Sequence, residues 1–212
     1  MEITLDNIGK RFNRDWIFRG ISTQLKLNHH TVLLGSNGSG KSTLLQILSG
    51  YMEPSEGKLE FTKAQEIVVQ EDTFRHVSLT SPALKLYEEL TLREMFDFHS
   101  KFKKLRGNLS PDQLIDKTGL NRHRDKQLKN FSSGMLQRVK LAQAILSDSS
   151  LLLLDEPTSN LDRQGIEWYK DLIEENKQDR LIIVCSNRQR DEYDFCSNSI
   201  DIEEYKKPHL AG

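Results

Sequence analysis

Apolar and polar positions alternate from the start of the chain. "MEITLDNIGKRF" has a period of two, which predicts a strand at the N-terminus. "FRGISTQLKL" repeats it, with Ile21, Thr23, Leu25 and Leu27 on one face. An Asn28-His29-His30 turn leads into "TVLLG", a short apolar strand, and a glycine-rich loop follows. The period then changes. In "KSTLLQILSGY", Leu44, Leu45, Ile47 and Leu48 fit one side of a helix. Beyond a turn at Glu53–Gly57, "KLEF" and "EIVVQ" are shorter strand candidates.

From about residue 80 the pattern turns helical. "ELTLREMFDFHSKFKKL" offers Thr91 as an N-cap with Glu94 three positions on, the spacing of a capping box. Leu92, Met95, Phe96, His99 and Phe102 follow on one face. In "SPDQLIDKTGL", Ser110 can cap, Pro111 suits the first turn and Gly119 can end the helix. "SSGMLQRVKLAQAIL" predicts a third helix. Strand signals return with "LLLLDEP", then a helix at "RQGIEWYKDLIEEN" and a strand at "RLIIVCS". This order predicts an α/β fold in one domain, 1–212. A mixed-sheet core of about 1–79 and 149–212 would carry an N-terminal antiparallel β region and be interrupted by a helical lobe of about 80–148.

Composition narrows the class. Thirty basic residues nearly balance 31 acidic ones, so a net charge of -1 gives no reason to expect a nucleic-acid partner. The basic run "KFKKLR" reads as a solvated helix end. No stretch approaches the roughly 18 to 20 apolar residues of a membrane span, and the first residues lack the apolar stretch of a signal peptide. Cys185 and Cys196 are expected to be unbridged thiols of a cytosolic protein.

Gly35-Ser36-Asn37-Gly38-Ser39-Gly40-Lys41-Ser42 matches G-x-x-x-x-G-K-[ST], between a strand and a helix. Glycines let backbone N–H groups turn inward around a phosphate. Lys41 can reach the terminal phosphates, Ser42 offers a hydroxyl to Mg²⁺, and the helix that includes Thr43 aims its positive end at the anion. "LLLLDEP" is the natural companion, a buried strand delivering Asp155 to the Mg²⁺ shell. Glu156, next along, can orient or deprotonate an attacking water.

Two further stretches, "NFSSGMLQRVKLAQAIL" before the leucine strand and "PTSNLD" after it, complete a pattern that resembles the ATP-binding cassette (ABC) family. The resemblance runs from about Phe12 to Asn187 and is closest to the compact single-cassette subunits of bacterial ABC transporters. It implies a P-loop ATPase fold with ATP and Mg²⁺ as cofactors. It also implies that two cassettes pair head to tail around two ATP molecules. Ser132, Ser133 and Gly134 would then face the γ-phosphate held by the partner cassette, and Asn160 and Asp162 would communicate across the dimer. Phe12 stands about where the family stacks an aromatic ring on adenine, with Trp16 as its rival. A separate integral-membrane subunit would be the transport partner, docking around Ser81 to Met95. The chain would work in the cytoplasm, peripheral to the inner face of the membrane.

The chain departs from the family at three places. The usual L-S-G-G-Q is Phe131-Ser132-Ser133-Gly134-Met135. No glutamine stands near Ser81 to Ala83, where the family places its sensor of Mg²⁺ and water, and Gln70 comes too early. The strand "RLIIVCS" ends in Asn187, where the family carries a histidine against the γ-phosphate. Asn187 can donate an amide hydrogen bond to phosphate or cap a turn, but it cannot titrate. Glu156 is intact, so slow hydrolysis in isolation is the expectation. A soluble non-transport ABC ATPase, or a regulatory subunit with weak hydrolysis, are the alternatives.

Overall fold

The structure, a computed structural model, describes residues 1–69 and 72–206. Gln70 and His209 lie outside the described residues. The N-terminal alternation becomes an antiparallel sheet in the order β2-β1-β4-β5. Its strands are β1 (Glu2–Phe12), β2 (Asp15–Leu25), β4 (Glu56–Lys63) and β5 (Glu66–Val68). Ile3 pairs with Leu25 and Ile8 with Ile21, and all four side chains are buried on one face. Leu27 does not continue that face. β2 stops at Leu25, the chain turns through Asn28 at φ 61°, and Leu27 is 39 % exposed.

The second sheet is parallel throughout, in the order β6-β7-β8-β3-β9. It comprises β3 (Thr31–Leu34), β6 (Val77–Thr80), β7 (Leu151–Asp155), β8 (Leu181–Ser186) and β9 (Asn198–Asp201). β7 and β8 are buried at every residue, as central parallel strands covered on both faces must be. Leu152, Leu154, Ile182 and Val184 face one apolar layer. Leu151, Leu153, Leu181, Ile183 and Cys185 face the other, which α1 (Lys41–Leu48) and the antiparallel sheet complete. The period of two along these strands thus builds two cores back to back. The layer of Leu152 holds α3 (Leu92–Phe102), α4 (Pro111–Thr118), α5 (Ser133–Ile145) and α6 (Arg163–Asn176), and α2 (Thr73–His76) is a single turn before β6. Both cysteines are free thiols.

Both capping boxes form: Thr91 with Glu94 opens α3, and Ser110 with Gln113 opens α4. Each cap contributes on the order of 1 kcal/mol. Leu92, Met95 and Phe96 are buried as the periodicity requires, but Phe102 is 76 % exposed. It sits on the last turn of α3, where Lys103 leaves helical geometry.

Arg180 is fully buried at the start of β8. Its guanidinium donates to the carbonyls of Ile145, Ser147 and Ser149 and to Ser149 Oγ at 2.6 to 3.3 Å, tying the end of α5 to the parallel sheet. Burial pulls its pKa down to about 9.

His30, before β3, is 7 % exposed, with its ring edge-on to Phe195. Burial first, then Lys177, His29 and Arg180, lowers its pKa to about 4. The unfolded chain binds a proton here near the ordinary pH 6.5, while the folded one resists until about 4. Stability from this group is complete above pH 6.5 and lost as pH falls between the two values, by about 2 to 3 kcal/mol. His30→Gln is therefore expected to flatten the drop in urea midpoint between pH 7 and pH 5. An unchanged drop would assign the acid sensitivity to other groups.

Candidate functional site

The strand register brings the sequence motifs to one edge. Leu34 of β3 stands opposite Ser186 of β8, and Asp155 of β7 opposite Cys185. The phosphate loop, the Asp155-Glu156 pair and Asn187 thus all leave the sheet at the carboxyl ends of three adjacent strands, the usual place for ligand sites in open α/β sheets.

The loop is folded around its own lysine. Lys41 is 4 % exposed, and its Nζ donates to the carbonyls of Gly35 (2.9 Å) and Ser36 (3.0 Å). Gly40 has φ 105°, and a Cβ there would lie 2.5 Å from Ile17 Cγ2 and 3.0 Å from Phe18 Cδ1. Glycine therefore lets β2 press against the loop. α1 opens with no side-chain cap, so its first N–H groups are open to an anion. Ser39 is fully buried, and its Oγ has no hydrogen-bond partner among the described residues. Ser36 N–H donates to Glu203 Oε1 (2.9 Å) and Ser39 N–H to Ser36 O (3.0 Å), so the uncapped start of α1 and the Ser39 hydroxyl, beside the buried ammonium, are the donors left to fit a polyphosphate.

Asp155 is 7 % exposed and lies beside Ser42. Burial raises its pKa, and the neighbouring Ser42 hydroxyl partly opposes this. The two side chains set hard oxygens side by side, a donor set suited to Mg²⁺ completed by phosphate and water. Glu156 is half-buried with φ 45°, and its N–H donates to Cys185 O at 3.0 Å. Left-handed geometry at a non-glycine residue costs about 1 to 3 kcal/mol. Pairing with β8 holds it in place.

Asn187 is exposed, and its side chain makes no hydrogen bond among the described residues. Ser186 forms the turn instead, its Oγ accepting from Gln189 N at 3.1 Å. At the corresponding end of β6 no glutamine stands. Thr80 is fully buried with an unpartnered Oγ1, and Ser81 starts a turn closed by Leu84 N.

Ser132, Ser133, Gly134, Asn160 and Asp162 line one cavity of about 430 Å³, which includes no phosphate-loop residue. Ser132 Oγ caps α5 by accepting from Met135 N at 3.3 Å. A Cβ on Gly134 would lie 2.9 Å from Asn160 O, so the glycine lets helix and loop touch. His123 and Arg138 line the same cavity. His123 packs edge-on to Phe131; from its place in the helical region the sequence sets it aside as a replacement for the histidine missing at Asn187, and nothing local in the sequence shows this packing.

Phe12 pairs with Asp15 at the tip of the β1–β2 hairpin and is 46 % exposed. Trp16 carries the Arg19 guanidinium 4.0 Å above its ring. Elsewhere, Tyr87, Phe98 and Phe102 form an exposed aromatic run with centroids 5.3 and 5.0 Å apart. Leu86, Tyr87 and Phe98 line a hollow of about 800 Å³ there. No helix among the described residues is long and apolar enough to cross a membrane.

Residues 18–159 match the family described as ABC transporter. The chain is 30 % identical over 197 residues to an uncharacterized ABC transporter ATP-binding protein, YybJ, of Bacillus subtilis (strain 168), covering 92 % of this chain and 90 % of the relative. It is 29 % identical over 177 residues to the lipoprotein-releasing system ATP-binding protein LolD of Saccharophagus degradans, covering 75 % and 73 %. A dimeric post-hydrolysis structure of an ATP-binding cassette bound to ADP and Pi superposes with a TM-score of 0.80 over 94 % of this chain and 93 % of that one. At 21 % identity that likeness speaks for the fold. With a family match over most of its length and a relative of the same size, the chain belongs to the ABC transporter family, as an ATP-binding subunit.

Proposed function

We propose that the chain binds Mg-ATP at the carboxyl edge of β3, β7 and β8 and hydrolyses it slowly until paired with a second cassette and a membrane subunit. The convergence of Lys41, Ser42, Asp155 and Glu156 at that edge carries the reading. ATP supplies the phosphoryl group, and Mg²⁺ offsets its charge. Backbone N–H groups of Gly35 to Thr43 bind the phosphates, and Lys41 trades its loop carbonyls for them. Ser42 and Asp155 hold the cation. Glu156 orients the attacking water and accepts its proton as the water oxygen bonds to the γ-phosphorus and the bridging oxygen leaves with ADP. Asn187 donates an amide hydrogen bond to the γ-phosphate, a fixed contact that cannot carry a proton. Phe12 stacks on adenine, because its exposed ring carries only the Lys10 ammonium at 5.4 Å while the Arg19 guanidinium covers Trp16 at 4.0 Å.

Ser132, Ser133 and Gly134 bind the nucleotide held by a second cassette, and Asn160 and Asp162 relay closure between the two. The missing glutamine after β6 and a non-titrating Asn187 leave the γ-phosphate with two altered sensors, which favours binding and switching over fast turnover. The exposed run of Tyr87, Phe98 and Phe102 beside an 800 Å³ hollow supports docking of a membrane subunit on the helical lobe. The chain would then sit at the inner face of the membrane through that subunit.

Gentle extraction of native membranes with an affinity-tagged chain tests this. A stoichiometric multi-span membrane protein is expected to co-purify and to be lost in Tyr87→Glu. Ribosomes or soluble scaffold proteins in its place would overturn the transport reading.

A further inference from the structure

We propose that Glu192 is a positioning residue that locks the loop from Glu156 to Asp162 onto the turn after β8. The inference rests on the hydrolysis reading above. Glu192 ends the 3₁₀ turn Arg190–Glu192, five positions past Asn187, and is 1 % exposed. Its Oε1 accepts from both Thr158 Oγ1 (2.9 Å) and Thr158 N (3.3 Å). Its backbone carbonyl accepts from the hydroxyl of Tyr169, a fully buried residue of α6, at 2.8 Å. The acid is therefore held at both ends.

The arrangement is not a comfortable one for a carboxyl group. Oε2 is buried without a hydrogen-bond partner among the described residues. Burial raises the pKa against the pull of the Ser186 and Thr158 donors, and the nearby Glu156 charge raises it further. The Ser186 hydroxyl is itself turned toward the Gln189 carbonyl. A half-satisfied buried acid is a poor choice for stability alone.

What it gains is a connection. Thr158 lies two residues past Glu156, in the loop that continues to Asn160 and Asp162. On the other side of that loop, Gln137 Nε2 of α5 donates to Pro157 O at 2.9 Å. The loop is thus gripped between the helix that begins at Ser133 and the strand that ends beside Asn187. On the strand side Glu192 is the closer grip, Thr158 Oγ1 reaching Glu192 Oε1 at 2.9 Å and Gln189 Oε1 only at 3.4 Å, so the placement of Glu156 and Asn160 follows it.

The test compares Glu192→Ala with Glu192→Gln, since glutamine keeps an oxygen that can accept both Thr158 donors. Steady-state ATPase should fall about tenfold in kcat for Glu192→Ala, with KM for ATP nearly unchanged, and return close to wild type in Glu192→Gln. If Glu192→Ala does not fold, Thr158→Val, of similar shape, should show the same kcat loss. Wild-type kcat in Glu192→Ala or in Thr158→Val, equal losses in alanine and glutamine variants, or a change confined to KM would each overturn the lock. Amide hydrogen exchange over 157–162 separates this from the hydrolysis reading. It should quicken in Glu192→Ala and not in Glu192→Gln even if the wild type proves unable to hydrolyse ATP, and unchanged exchange would overturn the lock regardless of turnover.

Discussion

Glu156→Gln is expected to lower steady-state ATP hydrolysis by about 10² to 10⁴-fold, the range for losing a general base, while nucleotide binding persists. The amide keeps the size and the hydrogen-bonding oxygen of the side chain but cannot take a proton from water. Its backbone is held by the Glu156 N–H to Cys185 O bond, which the substitution does not touch, so the loss should fall on kcat. Asn187→Ala provides the contrast. Asn187 is exposed and its turn is made by Ser186, so the fold should not change. One neutral amide contact to phosphate is worth about 1 kcal/mol, or a rate loss within about tenfold. Malachite-green phosphate release on both variants decides the order. Unchanged turnover in Glu156→Gln, or a collapse in Asn187→Ala alone, would move the chemistry from β7 to β8.

Lys41→Ala should act on binding. The ammonium is buried against two carbonyls of its own loop, so it is already desolvated when a phosphate arrives. Hydrogen bonds to charged groups contribute about 1.5 to 3 kcal/mol, so the Kd for ATP should rise by roughly 10 to 200-fold. Removing the lysine also leaves the Gly35 and Ser36 carbonyls without that donor, and the empty loop should lose some order. Isothermal titration with ATP measures the first effect, and a thermal scan without nucleotide the second. Retained affinity would show that backbone N–H groups alone hold the phosphates.

Much of the nucleotide edge was legible because it rests on local chemistry. The glycine pattern with its lysine is one contiguous stretch, the four-leucine strand with its two carboxylates is another, and the backbone geometry each needs is local. The two capping boxes were legible for the same reason, since each closes within three residues. Periodicity failed where an element ended. Leu27 and Phe102 keep the period of their neighbours, but β2 stops at Leu25 and α3 at Phe102, and both side chains are exposed.

By itself, the sequence determined which residues could bind phosphate, coordinate a hard cation and activate water, and that a helical segment separates the two halves of that set. Tertiary structure alone decided that β3, β7 and β8 are neighbours, because strand order depends on which buried faces pack together rather than on chain order. It also decided that Arg180 staples α5 to the sheet, that His123 enters the cavity of Ser132 to Gly134, and that Glu192 reaches Thr158 across 34 positions. Those contacts join residues with no shared period or motif. For Arg180 and Glu192 the packing of buried polar groups brings them together, and for His123 the packing of its ring on Phe131.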